Sequence, residues 1–237
     1  SRRGLIQALG MIHEPSPLYD RSTKTLCEDS LHLCFDSARA SHEMASRALA
    51  RASFSATTMF LEAAANASLE SLNASNQLLE KVDKFPALQK FEFFAQSKFG
   101  KKLDHSSHIV QQFNELFAVR NKYVHPKAQV LEWKPLDSNS MIGAPKASAA
   151  LQIPFVSTYF RTEHAIPSIR VCHAFLKDLL IDLCEMTPRR STAKIFSLIK
   201  QPTTAGMAVG PFLYEHMKDW VAHEDIQLDH FEHGYHA

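Results

Sequence analysis

Apolar positions recur along this chain at helical spacing, with one long interruption. Between residues 18 and 85 there is neither glycine nor proline. Within that stretch Phe54, Thr57, Leu61, Ala65, Leu69 and Leu72 fall three or four positions apart. Such spacing puts them on one side of a helix. The pattern predicts one long helix, or two in near continuity, over residues 36–82, and a further helix over 24–35. Asn73, Ser75 and Asn76 mark the place for a break in the long one.

Pro86 suits a first helical turn, where its missing N–H would have no partner anyway. Leu88, Phe91, Phe94, Ala95 and Phe99 then form an aromatic stripe, and Gly100 is a natural stop. Asp104 is the candidate N-cap of the next helix, whose buried face is Ile109, Phe113, Leu116 and Phe117. Arg120 continues that face by one turn and so points toward packed structure or a partner.

The helical period is lost over residues 128–162. Short paired strands are expected there, around 129–134 and 153–160. It resumes near Pro167, where Ile169, Cys172, Leu176, Leu179, Leu180 and Leu183 form a stripe that ends by Thr187-Pro188. Shorter helices follow over 192–199 and 212–221. The fold class is all-α, a helical bundle with one long irregular insertion and short C-terminal helices.

Composition narrows the function. The 237 residues are enough to bury a sizeable core without metal or disulfide staples. A net charge of +1 does not fit a general nucleic-acid coating protein, but it leaves room for an enzyme that touches a few phosphates. Charge is uneven. The middle carries Lys84, Lys90, Lys98, Lys101, Lys102, Arg120, Lys122 and Lys127, and the C-terminal part is acidic. Cys27, Cys34, Cys172 and Cys184 show no CxxC spacing and read as small core residues in a reducing, cytoplasmic setting. No apolar run is long enough to cross a membrane, so no membrane partner is expected.

Candidate chemistry concentrates in Arg120-Asn121-Lys122-Tyr123-Val124-His125-Pro126. Arg grips phosphate and stabilises charge, and His moves a proton near neutral pH. Five residues of regular helix rotate about 500°, so Arg120 and His125 would not share a face if the helix simply continued. Pro126 disfavours helical angles at the residue before it. His125 is therefore expected at or beyond the helix end, where its side chain can swing back toward the turn that carries Arg120. Basic residues at a helix C-terminus also complement the helix dipole without any further role.

Elsewhere the signals are weaker. The tail gathers His216, His223, His230, His233 and His236 near Glu224, Asp225, Asp229 and Glu232, without HExxH or ordered ligand spacing. It reads as a polar, partly mobile C-terminus, and no metal or other cofactor is expected. There is no P-loop, dinucleotide fingerprint, kinase signature or nucleophile elbow.

The run Phe113-Asn114-Glu115-Leu116-Phe117-Ala118-Val119-Arg120-Asn121-Lys122-Tyr123-Val124-His125-Pro126-Lys127 resembles the signature of HEPN domains. The upstream helix with Glu62 and Asn66, and Lys90-Phe91-Glu92-Phe93, is also similar to that family. The resemblance covers roughly residues 36–186. It leaves 1–35 as an N-terminal segment, 128–162 as an insertion, and 187–237 as short helices and a His-rich tail. It implies a dimeric helical bundle and metal-independent cleavage of RNA by 2′-OH attack. Such enzymes occur in toxin–antitoxin, phage-defence or RNA-processing systems, so an antitoxin or other protein partner is an expectation as well. Arg120 would stabilise phosphoryl charge, His125 would act as general base or acid, and Asn121 would position one of them or the phosphate. Lys122, Tyr123 and Lys127 would contact RNA or its phosphates, with Glu62 and Asn66 supporting. Two alternatives stay open: a non-catalytic dimeric interaction module, and a bundle that binds a nucleotide or other phosphate ligand through Arg120.

Overall fold

The computed structural model describes residues 22–196, except 73, 129, 136, 138 and 139, and residues 210–236. Expectations that touch residues 1–21, Asn73, Gln129, Ser138 and 197–209 lie outside the described residues. The chain is mostly helical. Its helices are α1 (Thr23–Arg39), α2 (Glu43–Glu70), α3 (Asn76–Val82), α4 (Ala87–Phe99), α5 (His108–Val124), α6 (Thr162–Lys177), α7 (Pro188–Phe196) and α8 (Lys218–His223). A π-helical turn, Asp178–Leu183, prolongs α6.

The break near residues 71–75 is present, with Ser75 capping α3 through the Leu78 N–H. A second break was not foreseen. The chain leaves helix at Ala40 and re-enters at Glu43, so the helical stretch expected over 36–82 begins inside α1. Ala40 and His42 are extended, although neither glycine nor proline marks the turn. A tertiary hydroxyl cluster holds it: Ser37 Oγ donates to the Ser46 carbonyl at 2.8 Å and lies 2.6 Å from Thr162 Oγ1.

Gly100 closes α4 at φ +67°, a left-handed conformation with no cost for a residue lacking Cβ. Asp104 is not the cap of α5. Its carboxylate accepts from the Ser106 N–H and Oγ, forming a turn, and Ser107 accepts from the Val110 N–H instead. The buried face of α5 is correspondingly Val110, Phe113, Leu116 and Val119, with Ile109 and Phe117 only partly covered.

The irregular segment contains strand β1 (Glu132–Pro135), but its partner is β2 (Met141–Ala144) in an antiparallel hairpin. Residues 153–160 form no strand. They make one bridge, Pro154 to Ala147, and a 3₁₀ turn at Ser157–Tyr159. Local hairpin closure has won over the longer-range pairing. The end of the segment is tied to α5, because the Glu115 carboxylate accepts from the Ala150 and Leu151 N–H groups.

One core runs through these elements. Phe54, Phe91, Phe94, Phe113, Phe160 and Phe175 are fully buried, and Phe175 lies 4.3 Å from Phe113 and 5.3 Å from Phe91 between ring centroids. Burying a phenylalanine contributes about 1.5–3 kcal/mol, so this aromatic centre outweighs any surface ion pair. All four cysteines are buried free thiols, and burial pushes the Cys34 thiol up to about 12. Among the described residues, no helix is long and apolar enough to cross a membrane.

The C-terminal part corrects the expectation of a polar, mobile tail. Ile226, Leu228, His230 and Phe231 are buried, and β4 (Gly234–His236) pairs in parallel with β3 (Phe212–Tyr214). The apolar residues interleaved with the histidines decide the outcome. Gly210 is needed there, since a Cβ would meet the Glu232 carbonyl oxygen at 1.7 Å.

Two of the buried groups are histidines in contact. His173 Nδ1 lies 3.4 Å from His230 Nε2, and among the described residues the other ring nitrogen of each has no hydrogen-bond partner. Burial lowers the pKa of His173 to about 3, with the neighbouring His233 acting in the same direction. His230 is held well below the usual range by burial, then by His173, His233 and Lys177. Both rings protonate readily in the unfolded chain below about pH 6.5 but resist it in the folded one, so the unfolded state binds more protons in that window. Stability should be complete above pH 6.5 and fall by roughly 1–3 kcal/mol per pH unit as the medium is acidified toward pH 5, above the range where carboxylates titrate. Thermal melts between pH 7.5 and 5 check this. An unchanged midpoint would show that the pair is accessible to protons in the fold.

Candidate functional site

The site sits where the C-terminal half of α5 crosses α2 beside the turn into α4. Pro126 sets its limit. His125 lies just outside α5 at φ −118°, ψ 68°, while its backbone N–H still donates to the Asn121 carbonyl at 3.0 Å. The expected helix end is therefore present, and it leaves His125 exposed.

Arg120 is held by two neighbours. Its Nη1 donates to Asn121 Oδ1 at 3.2 Å, and its Nη2 donates to Glu62 Oε2 at 3.2 Å and lies 3.0 Å from Oε1. The guanidinium is 26 % exposed and the Glu62 side chain 39 %. A pair this open to water contributes at most about 1 kcal/mol. A phosphate gripped by two charge-assisted hydrogen bonds can therefore compete with Glu62 for the same guanidinium.

The remaining candidate residues divide. Asn66, one helical turn beyond Glu62, does not reach α5; its Oδ1 accepts from Lys90 Nζ at 2.7 Å. Lys122 lies over the Phe155 ring with Nζ 3.3 Å from the centroid, and so ties the insertion to α5. Tyr123 is half-buried against Phe54 and Phe160, with ring centroids 6.0 Å away in each case. Lys127 is exposed. Arg120, Asn121 and Glu62 are thus brought together. His125 makes no side-chain hydrogen bond to any described residue, Arg120 included.

The Arg120 guanidinium forms part of the wall of an open cavity of about 320 Å³, which Glu62, Phe85, Phe113, Phe117 and Asn121 also line. A second cavity of about 240 Å³ adjoins it, sharing Glu62, Phe85, Pro86 and Ala87 and reaching Asn66 and Lys90. In the sequence Lys90 stands out only as one of the basic residues in the middle and within the run Lys90–Phe93, and Phe85 is not among the candidates. The signal was a lysine set within an aromatic stripe, and an aromatic placed directly before the proline that opens α4. Lys90 is only 8 % exposed, and its ammonium also contacts Asp83 Oδ1 at 3.3 Å.

This arrangement can bind an anion through Arg120 and offers an imidazole at the adjoining helix end. Among the described residues, no group of three or more His, Cys, Asp or Glu side chains is placed to hold a metal ion. No family model matches this chain, and no curated protein or solved structure shows significant similarity to it.

Proposed function

We propose that this protein is a HEPN-like, metal-independent endoribonuclease acting as a homodimer in which Arg120 and His125 of two protomers meet. The observation that carries the reading is the state of Arg120: a guanidinium oriented by Glu62 and Asn121 at the wall of an open cavity, one turn before a proline-stopped helix end that presents His125. Among the described residues of one protomer nothing hydrogen-bonds the His125 side chain, and exposed apolar side chains follow it closely in sequence: Val130 and Trp133, with Val124 just before. A second copy is the partner that would cover them and complete the site. Arg120 would neutralise the phosphoryl oxygens, and His125 would take the proton from a ribose 2′-OH or return one to the leaving oxygen. A toxin or phage-defence setting, with an antitoxin as partner, belongs to the same proposal.

The Glu62–Arg120 ion pair favours one rival, a non-catalytic dimeric interaction module, because it keeps the guanidinium satisfied without any ligand. Digestion of a short RNA and its DNA counterpart in excess EDTA separates the two. The ribonuclease cleaves the RNA at an undiminished rate and leaves the DNA whole. Loss of cleavage with EDTA, or no cleavage at any protein concentration, would contradict it.

A further inference from the structure

The two adjoining cavities share Glu62, Phe85, Pro86 and Ala87 and so make one groove, and its two cations, Arg120 on α5 and Lys90 on α4, are each held by a residue of α2. Arg120 is held by Glu62 and Lys90 by Asn66, four residues further along. Lys90 uses two of its three ammonium donors, on Asn66 and Asp83, which leaves one for a further acceptor. Phe85, 40 % exposed, lines both cavities. Lys84, exposed at the rim of the larger cavity, adds a further positive charge.

We propose that this groove is a subsite for single-stranded RNA, in which phosphates of the strand sit on Arg120 and Lys90 and a base stacks on Phe85. The proposal rests on the ribonuclease reading for the choice of RNA as ligand. A flat aromatic face accepts any base, so the subsite is tolerant of sequence, whereas a duplex keeps its bases stacked inside and cannot use Phe85. The groove also has an end. Glu70, Glu80 and Asp83 line the next cavity along α2, and this acidic lining repels further phosphates. Asp83 is largely exposed and can turn into solvent when Lys90 takes a phosphate.

The test is fluorescence anisotropy with a 5′-labelled six-nucleotide oligouridylate, in a His125→Ala background so that binding is read without cleavage. Phe85→Ala should weaken binding by roughly 5- to 150-fold. Phe85→Trp should restore it. Lys90→Met, used only if its melt matches the parent, should weaken binding and reduce the slope of log affinity against log salt by about 1. A labelled RNA duplex should bind at least about tenfold more weakly than the single strand. Unchanged binding by Phe85→Ala, or duplex binding as tight as single-strand binding, would overturn the subsite. The two readings fail separately. Wild-type cleavage with binding indifferent to Phe85 removes the subsite alone, while Phe85-dependent binding with no wild-type cleavage removes the catalytic reading alone.

Discussion

Replacing His125 with alanine should lower RNA cleavage by about 10²–10⁴-fold, the usual loss for a positioned acid or base. The fold should not notice. His125 is exposed, makes no side-chain hydrogen bond to a described residue, and contributes to the helix end only its backbone N–H, which alanine retains. Thermal stability should therefore stay within about 0.5 kcal/mol of the parent. The informative comparison pairs the cleavage rate with a melt of the same preparation. Cleavage that survives in a clean His125→Ala protein would remove the imidazole from the chemistry.

Arg120→Lys should be almost as damaging as Arg120→Ala, with cleavage down by about 10²–10³-fold in both. Lysine keeps the charge but not the planar fork. The guanidinium contacts Glu62 and Asn121 from different nitrogens, so it is aimed before any ligand arrives. An ammonium has neither the reach nor the two parallel donors to repeat that. Near-full activity in Arg120→Lys would mean that the position works only as a point charge.

The helical architecture was legible wherever a residue constrains its own backbone. Gly100 stops α4 because it accepts positive φ, and Pro126 ends α5 because it bars its predecessor from helical angles. What periodicity could not reveal were features set by tertiary contacts. The turn at Ala40–His42 depends on hydroxyls of Ser37, Ser46 and Thr162, and Thr162 lies far away in sequence. Asp104 and Ser107 are both good caps by type, and only the turn through Ser106 decides between them. The tail misled for another reason: its histidines drew attention away from Ile226, Leu228 and Phe231, which carry it into the core.

Proximity in sequence pointed to Arg120, Asn121 and His125, and the resemblance to HEPN domains pointed to Glu62; the structure brings Arg120, Asn121 and Glu62 together and leaves the His125 side chain without a hydrogen bond to them. The partner of Asn66 proved to be Lys90, on α4, since contacts between helices distant in sequence leave no periodic trace. Lys122 and Tyr123 lie two and three residues after the arginine but face the insertion and the core, as their positions around α5 require.

Metal-independent attack by the ribose 2′-OH is the central claim, and the ends of the product record it. A short RNA digested in EDTA should carry a 2′,3′-cyclic phosphate on the upstream fragment and a free 5′-hydroxyl on the downstream one, identified by mass, while its DNA counterpart stays intact. A 5′-phosphate and a 3′-hydroxyl, or equal cutting of the DNA, would show that water rather than the 2′-OH is the nucleophile and would contradict the account.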